Sequence, residues 1–86
     1  MVELKVFTLP NCPNCPAAKK IVEEVSRKYG VAYREIDIGT PDGQLEGLMY
    51  QVTSTPSIAI DDEVIARGKV IPINELEEAL KRKLQK

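Results

Sequence analysis

The sequence predicts an α/β domain: a four-stranded mixed sheet flanked by helices, in the order β-α-β-α-β-β-α. Three observations carry this expectation. Short apolar segments of strand length alternate with amphipathic segments whose apolar residues recur every three or four positions. A strand, a helix and a second strand in succession form one right-handed crossover unit. Two further apolar runs, separated only by Asp61-Asp62-Glu63, add an antiparallel hairpin before a last helix.

The elements follow in order. Lys5 to Leu9, preceded by Glu3-Leu4, is apolar on both faces, as suits a central strand covered on both sides, and Pro10 and Asn11 stop it. Ala18, Ile21, Val22, Val25 and Tyr29 then line one helical face, with Lys19, Lys20, Glu23, Glu24 and Arg27 between them and Gly30 as a C-terminal stop. Val31 to Ile38 reads as a second strand whose alternation is imperfect, because Arg34 shares a face with Ile36 and Ile38. Thr40 followed by Pro41 reads as an N-cap and a first-turn proline. Leu45, Leu48, Met49 and Val52 supply the stripe of that second helix. Gly43 and Gly47 weaken it by about 1 kcal/mol each relative to Ala. Ser57 to Ile60 and Val64 to Arg67 form the hairpin, in which Asp accommodates the left-handed turn. Leu76, Ala79, Leu80 and Leu84 mark the last helix, begun by Pro72 or capped by Asn74. Its early acidic and late basic residues match the helix dipole. Aliphatic stripes of this kind are expected to be core rather than binding surface.

Composition narrows the function. The chain has 86 residues, enough for a single domain over 1–86, with 43% apolar and 29% charged residues. The net charge of −1 offers no basic patch, so nucleic acid is not an expected partner. No apolar run approaches the ~18 residues of a membrane span, and no signal peptide is visible, so the expected setting is cytoplasmic. Histidine is absent, which removes Cys–His dyads, Ser–His–Asp triads and histidine metal sites. Cys12 and Cys15 are the only strong nucleophiles, and one pair is too little for a disulfide framework.

Cys12-Pro13-Asn14-Cys15 falls at the junction of the first strand and the first helix. With Cys12 as N-cap and Pro13 as first helical residue, the amides of Asn14 and Cys15 and the helix dipole would favour a Cys12 thiolate. Cys15, one turn further in, would then resolve the mixed disulfide that Cys12 forms. Pro16, as fourth helical residue, is expected to loosen the first turn. Thr55-Pro56 precedes an apolar strand in a loop able to fold beside the cysteines.

The element order, the Cys-Pro-x-Cys at the first strand–helix junction and the Thr-Pro before the third strand together resemble the thioredoxin/glutaredoxin family over nearly the whole chain. Within it, the chain is similar to the small prokaryotic redoxins that look like glutaredoxins and act as thioredoxins. The resemblance implies a thioredoxin-like fold, a cis Pro56, and a Thr55 backbone that pairs with an extended substrate segment. It further implies reduction of protein disulfides without a bound cofactor or metal, with Cys12 and Cys15 as catalytic pair and Thr55, Pro56, Pro13 and Asn14 shaping the substrate site. A monomer fed by an upstream flavoprotein thioredoxin reductase is the implied partner arrangement. Glutathione is disfavoured, because Gly68-Lys69-Val70 stands where glutaredoxins carry a glycine pair and acidic residues. Thioredoxins carry a buried Asp six residues before the first cysteine, where this chain has Val6. Water, Lys19 or Lys20 are then the candidate proton acceptors for Cys15. The groove lips Leu9, Pro10, Asn11, Asn14 and Thr55 are uncharged.

Other readings use the same cysteines: two inert buried thiols, a docking module without turnover, or a Cu(I)-binding metallochaperone-like domain. Against the copper reading, such domains run β-α-β-β-α-β and carry a Met before the first cysteine. This chain ends in a helix and has Pro10 and Asn11 there.

Overall fold

A computed structural model describes residues 2–85. The elements are β1 (Glu3–Thr8), α1 (Cys15–Tyr29), β2 (Ala32–Asp37), α2 (Pro41–Met49), β3 (Ser57–Ile60), β4 (Glu63–Arg67) and α3 (Ile73–Leu84). The predicted order holds. The sheet runs β2-β1-β3-β4, with β1 and β2 parallel and the β1–β3 and β3–β4 pairs antiparallel. β1 is central, which is why Leu4, Val6 and Phe7 are all fully buried.

Alternate residues of β1 serve opposite faces. Leu4 and Val6 join Ala18, Val22 and Val25 of α1 and Leu76, Ala79 and Leu80 of α3 in the larger core cluster, with Ile58 and Ile60 from β3. Phe7 faces the other way, with Ile36, Val52 and Ala59, toward α2. Lys5 shares that face and is only 6% exposed. Its ammonium is satisfied by the Asp61 carbonyl at 3.1 Å and the Glu3 carboxylate at 3.3 Å, and it lies 5.4 Å from the Tyr50 ring centroid.

Local signals account for most boundaries. Gly30 ends α1 at φ 66°, a left-handed cap. The Thr40 hydroxyl accepts from the Gly43 N–H at 3.0 Å, with Pro41 in the first turn of α2. Asp61 takes φ 52° in the β3–β4 turn. At α3 neither expected start holds: Pro72 is the cap residue and the helix begins at Ile73. Pro72 is extended at ψ 148°, and its carbonyl receives the Leu76 N–H at 3.3 Å.

The apolar stripe expected for α2 is overturned as well. Leu45, Leu48 and Met49 of α2 are not core: they are 61%, 73% and 73% exposed, whereas Gly43 and Gly47 are buried. The helix seats its glycine face. A Cβ at Gly43 would stand 1.8 Å from the Asp37 carbonyl oxygen, and one at Gly47 would stand 3.2 Å from Ile38 Cγ2. With the backbone this close, the bulky residues necessarily point outward.

Candidate active site

β1 stops at Thr8, and the chain turns through residues 9–14 before α1 begins. The Cys12 N–H closes this turn on the Leu9 carbonyl at 3.2 Å. The helix therefore starts later than expected: Asn14, not Cys12, is the cap residue, and Cys15 rather than Pro13 is the first helical residue. Pro16 explains the delay. In a helix begun at Pro13, the Cys12 carbonyl would receive the N–H of residue 16, which proline lacks. The first helical bond runs instead from the Ala18 N–H to the Asn14 carbonyl at 3.2 Å. Pro16 becomes the second helical residue, where an N–H has no partner in any case, so the expected loosening does not arise. The Asn14 side chain makes no capping bond, and Pro13 and Asn14 are exposed.

Cys12 is nevertheless held at the head of α1, because it is joined in a disulfide to Cys15 across a Cα–Cα separation of 5.4 Å. The positive end of the helix dipole therefore acts on both sulfurs. Their exposure differs: Cys15 is 4% exposed and Cys12 is half-buried.

A cavity of about 380 Å³ opens beside the pair. Its walls are Thr8, Leu9 and Pro10 on one side, Cys12, Cys15, Pro16 and Lys19 on another, and Glu35 and Asp37 from β2. Lys19 Nζ lies 3.0 Å from Glu35 Oε1, and the Thr8 hydroxyl donates to Glu35 Oε2 at 3.3 Å. The hydrogen bond to Glu35, and then its charge, raises the Lys19 pKa above the ordinary lysine value. A lysine that holds its proton so firmly is no base near neutral pH, which removes Lys19 from the expected proton acceptors. Lys20 is exposed and lies outside the cavity wall.

The Thr55–Pro56 peptide is cis. In the antiparallel register Ser57 sits opposite Phe7, so Pro56 reaches the edge of the sheet from which the cysteine loop departs. Ser57 anchors this loop, donating to the Ser54 carbonyl at 2.7 Å and accepting from the Gly68 N–H at 3.3 Å. Pro56 is buried and Thr55 half-buried, and the Thr55 backbone makes no hydrogen bond among the described residues. Thr55, Pro56, Pro13 and Asn14 are not part of the cavity wall.

The uncharged lips expected from sequence are thus only part of the surroundings: Lys19, Glu35 and Asp37 make the cavity charged. Glu35 and Asp37 were missed. Their signal is the alternation of β2, which puts Tyr33, Glu35 and Asp37 on the side of α1 and Arg34, Ile36 and Ile38 on the side of α2. Two carboxylates on a helix-covered face are unusual and mark a place where that face opens.

A vicinal cysteine pair at the head of the first helix of such a sheet defines a thiol–disulfide oxidoreductase. The chain belongs to the thioredoxin family: the profile described as "Thioredoxin domain" matches residues 2–81. A curated thioredoxin from Methanocaldococcus jannaschii is 36% identical over 96% of both chains. A probable thioredoxin from Archaeoglobus fulgidus is 35% identical over 79% of this chain and 75% of its own. Thioredoxin 1 from Thermosipho africanus superposes with a TM-score of 0.77 at 17% identity, covering 96% of this chain and 94% of that one, a likeness of fold. The β-α-β-β-α-β order of the copper-chaperone reading is not the order observed.

Proposed function

We propose that this chain reduces disulfides in protein substrates through Cys12-Pro13-Asn14-Cys15. Cys12 is the attacking sulfur. As a thiolate it breaks the substrate disulfide, forms a mixed disulfide and releases the first substrate sulfur. Cys15, as thiolate, then displaces the second and closes the Cys12–Cys15 bond. Two electrons pass to the substrate, which leaves as a dithiol, and an upstream thioredoxin reductase returns them to the protein.

The observation that carries this reading is the unequal exposure of one bonded pair: Cys12 is open to a partner and Cys15, at 4% exposure, is not. The unpaired Thr55 backbone, beside buried Pro56 at the same sheet edge, offers main-chain bonding to an extended substrate segment. Pro13 and Asn14, exposed and next to Cys12 along the chain, would meet the same segment. We read residues 1–86 as one domain, acting as a monomer in the cytoplasm.

Insulin disulfide reduction tests the proposal, with thioredoxin reductase and NADPH in one arm and glutathione with its reductase in the other. Turnover in the first arm, abolished by Cys12→Ser, is expected. A Cys15→Ser variant should accumulate the mixed disulfide, detected by mass. Turnover that survives Cys12→Ser would overturn the assignment.

A further inference from the structure

Resolution of the mixed disulfide needs Cys15 as thiolate, yet Cys15 is almost wholly buried. Burial favours the neutral thiol, so the proton needs a nearby acceptor. The cavity lined by Cys15 also holds two carboxylates, Glu35 and Asp37. Asp37 turns its Oδ1 to the Gly39 N–H at 2.8 Å, in the turn that leads into α2. Glu35, whose side chain is 41% exposed, is oriented on the cavity wall through both oxygens: Lys19 lies 3.0 Å from one and the Thr8 hydroxyl donates to the other at 3.3 Å.

We propose that Glu35, positioned by Lys19 and Thr8, accepts the proton of the Cys15 thiol through the cavity and so drives the resolving step. This rests on the disulfide-exchange reading above. The Cys15 S–H bond breaks and its proton passes to Glu35. The Cys15 sulfur forms the S–S bond to Cys12 as the bond between Cys12 and the substrate breaks. The departing substrate thiolate takes up a proton, and Glu35 returns its own to solvent. The Thr8 hydroxyl, donor to the carboxylate, can turn to accept from the protonated acid. The charge of Lys19 remains in the cavity to favour the new thiolate. The titratable groups around Glu35 are Lys19 and Glu23 of α1, Tyr33 and Asp37 of its own strand, and the two cysteines.

The test is stopped-flow reduction of the aromatic disulfide 5,5′-dithiobis(2-nitrobenzoate) by the dithiol protein. The first chromophore reports attack by Cys12 and the second reports resolution by Cys15. A well-placed base commonly contributes on the order of 10²–10⁴-fold, and a solvent-screened one less, so Glu35→Gln should slow the second phase about tenfold at pH 6.5. The first phase should be unchanged, and the defect should shrink toward pH 9.5 as hydroxide takes over. Asp62→Asn, which removes an exposed carboxylate in the β3–β4 turn and outside the cavity, should stay within about twofold of the parent. Glu35→Ala, with its fold checked by circular dichroism, should recover the second phase on addition of formate. A Glu35→Gln second phase equal to the parent, slowed equally at every pH, or matched by Asp62→Asn would overturn the role of Glu35 alone. Absence of a first phase in the parent would overturn the exchange reading itself.

Discussion

Gly43 and Gly47 look equivalent in sequence but are held to different tolerances. Gly43 approaches the Asp37 carbonyl so closely that an added Cβ would stand 1.8 Å from its oxygen, and backbone cannot yield as a side chain can. Gly43→Ala is therefore expected to cost about 2–3 kcal/mol in urea unfolding, even after the ~1 kcal/mol gain in helix propensity. At Gly47 the nearest obstacle is a methyl of partly buried Ile38 at 3.2 Å. That methyl can shift, so Gly47→Ala is expected to stay within about 1 kcal/mol of the parent. Equal losses at the two positions would show that α2 is not seated on its glycine face. At this scale the sequence was misleading, because it records the propensity cost of a glycine but not the carbonyl that makes the glycine necessary.

Among the elements, α1 and α2 each depart from their patterns for a local reason. Pro16 sets the start of α1, and Pro16→Ala would return an N–H to the Cys12 carbonyl and let the helix begin earlier. More amides and the dipole would then act on the Cys12 sulfur, stabilising the reduced form. A helix terminus contributes roughly 0.3–1 kcal/mol, so the thiol–disulfide equilibrium with glutathione should move about two- to fivefold toward the dithiol. Alkylation of Cys12 at pH 6 should quicken in parallel, and an unchanged equilibrium would rule the mechanism out. For α2, Leu48→Glu at a 73% exposed position should alter stability by no more than about 0.5 kcal/mol. Leu76→Ala, in the fully buried face of α3, should cost about 2–5 kcal/mol. In the periodicity the two leucines look alike. Leu76, Ala79 and Leu80 of the α3 stripe are buried, with Leu84 of its last turn 46% exposed, whereas Leu45, Leu48 and Met49 of α2 face outward, because only one of the two helices carries glycines that draw its other side to the sheet.

Over the whole molecule, the buried charge of Lys5 ties stability to alkaline pH. Burial pulls the Lys5 pKa down, but the neighbouring Tyr50 side chain and the Glu3 carboxylate outweigh it, and the net shift is upward from the ordinary lysine value. A lysine raised on folding contributes stability that is complete below its unfolded pKa and lost as pH climbs through the folded one. The thermal midpoint should therefore be insensitive to Lys5 up to about pH 10 and fall beyond it. In Lys5→Met that alkaline loss should be shallower. Lys19, Lys28 and Lys83 are also raised, chiefly by hydrogen bonds to Glu35, Glu77 and Glu63, but they lie in solvent, where such pairs contribute little. An alkaline slope identical in the parent and in Lys5→Met would refute the assignment.

The sequence by itself determined the order of elements, the central place of β1, the caps at Gly30 and Thr40, the hairpin turn at Asp61 and the cysteine pair as the chemical centre. Each of these follows from short-range physics: periodicity, turn stereochemistry, and the paucity of other nucleophiles. Tertiary structure alone decided which face of α2 is buried and how Lys5 is satisfied within the sheet. It also decided that β2, paired in parallel with β1, brings Glu35 and Asp37 to the cysteines. These depend on contacts between residues far apart in the chain, where register and closeness of approach, rather than the local pattern, set the outcome.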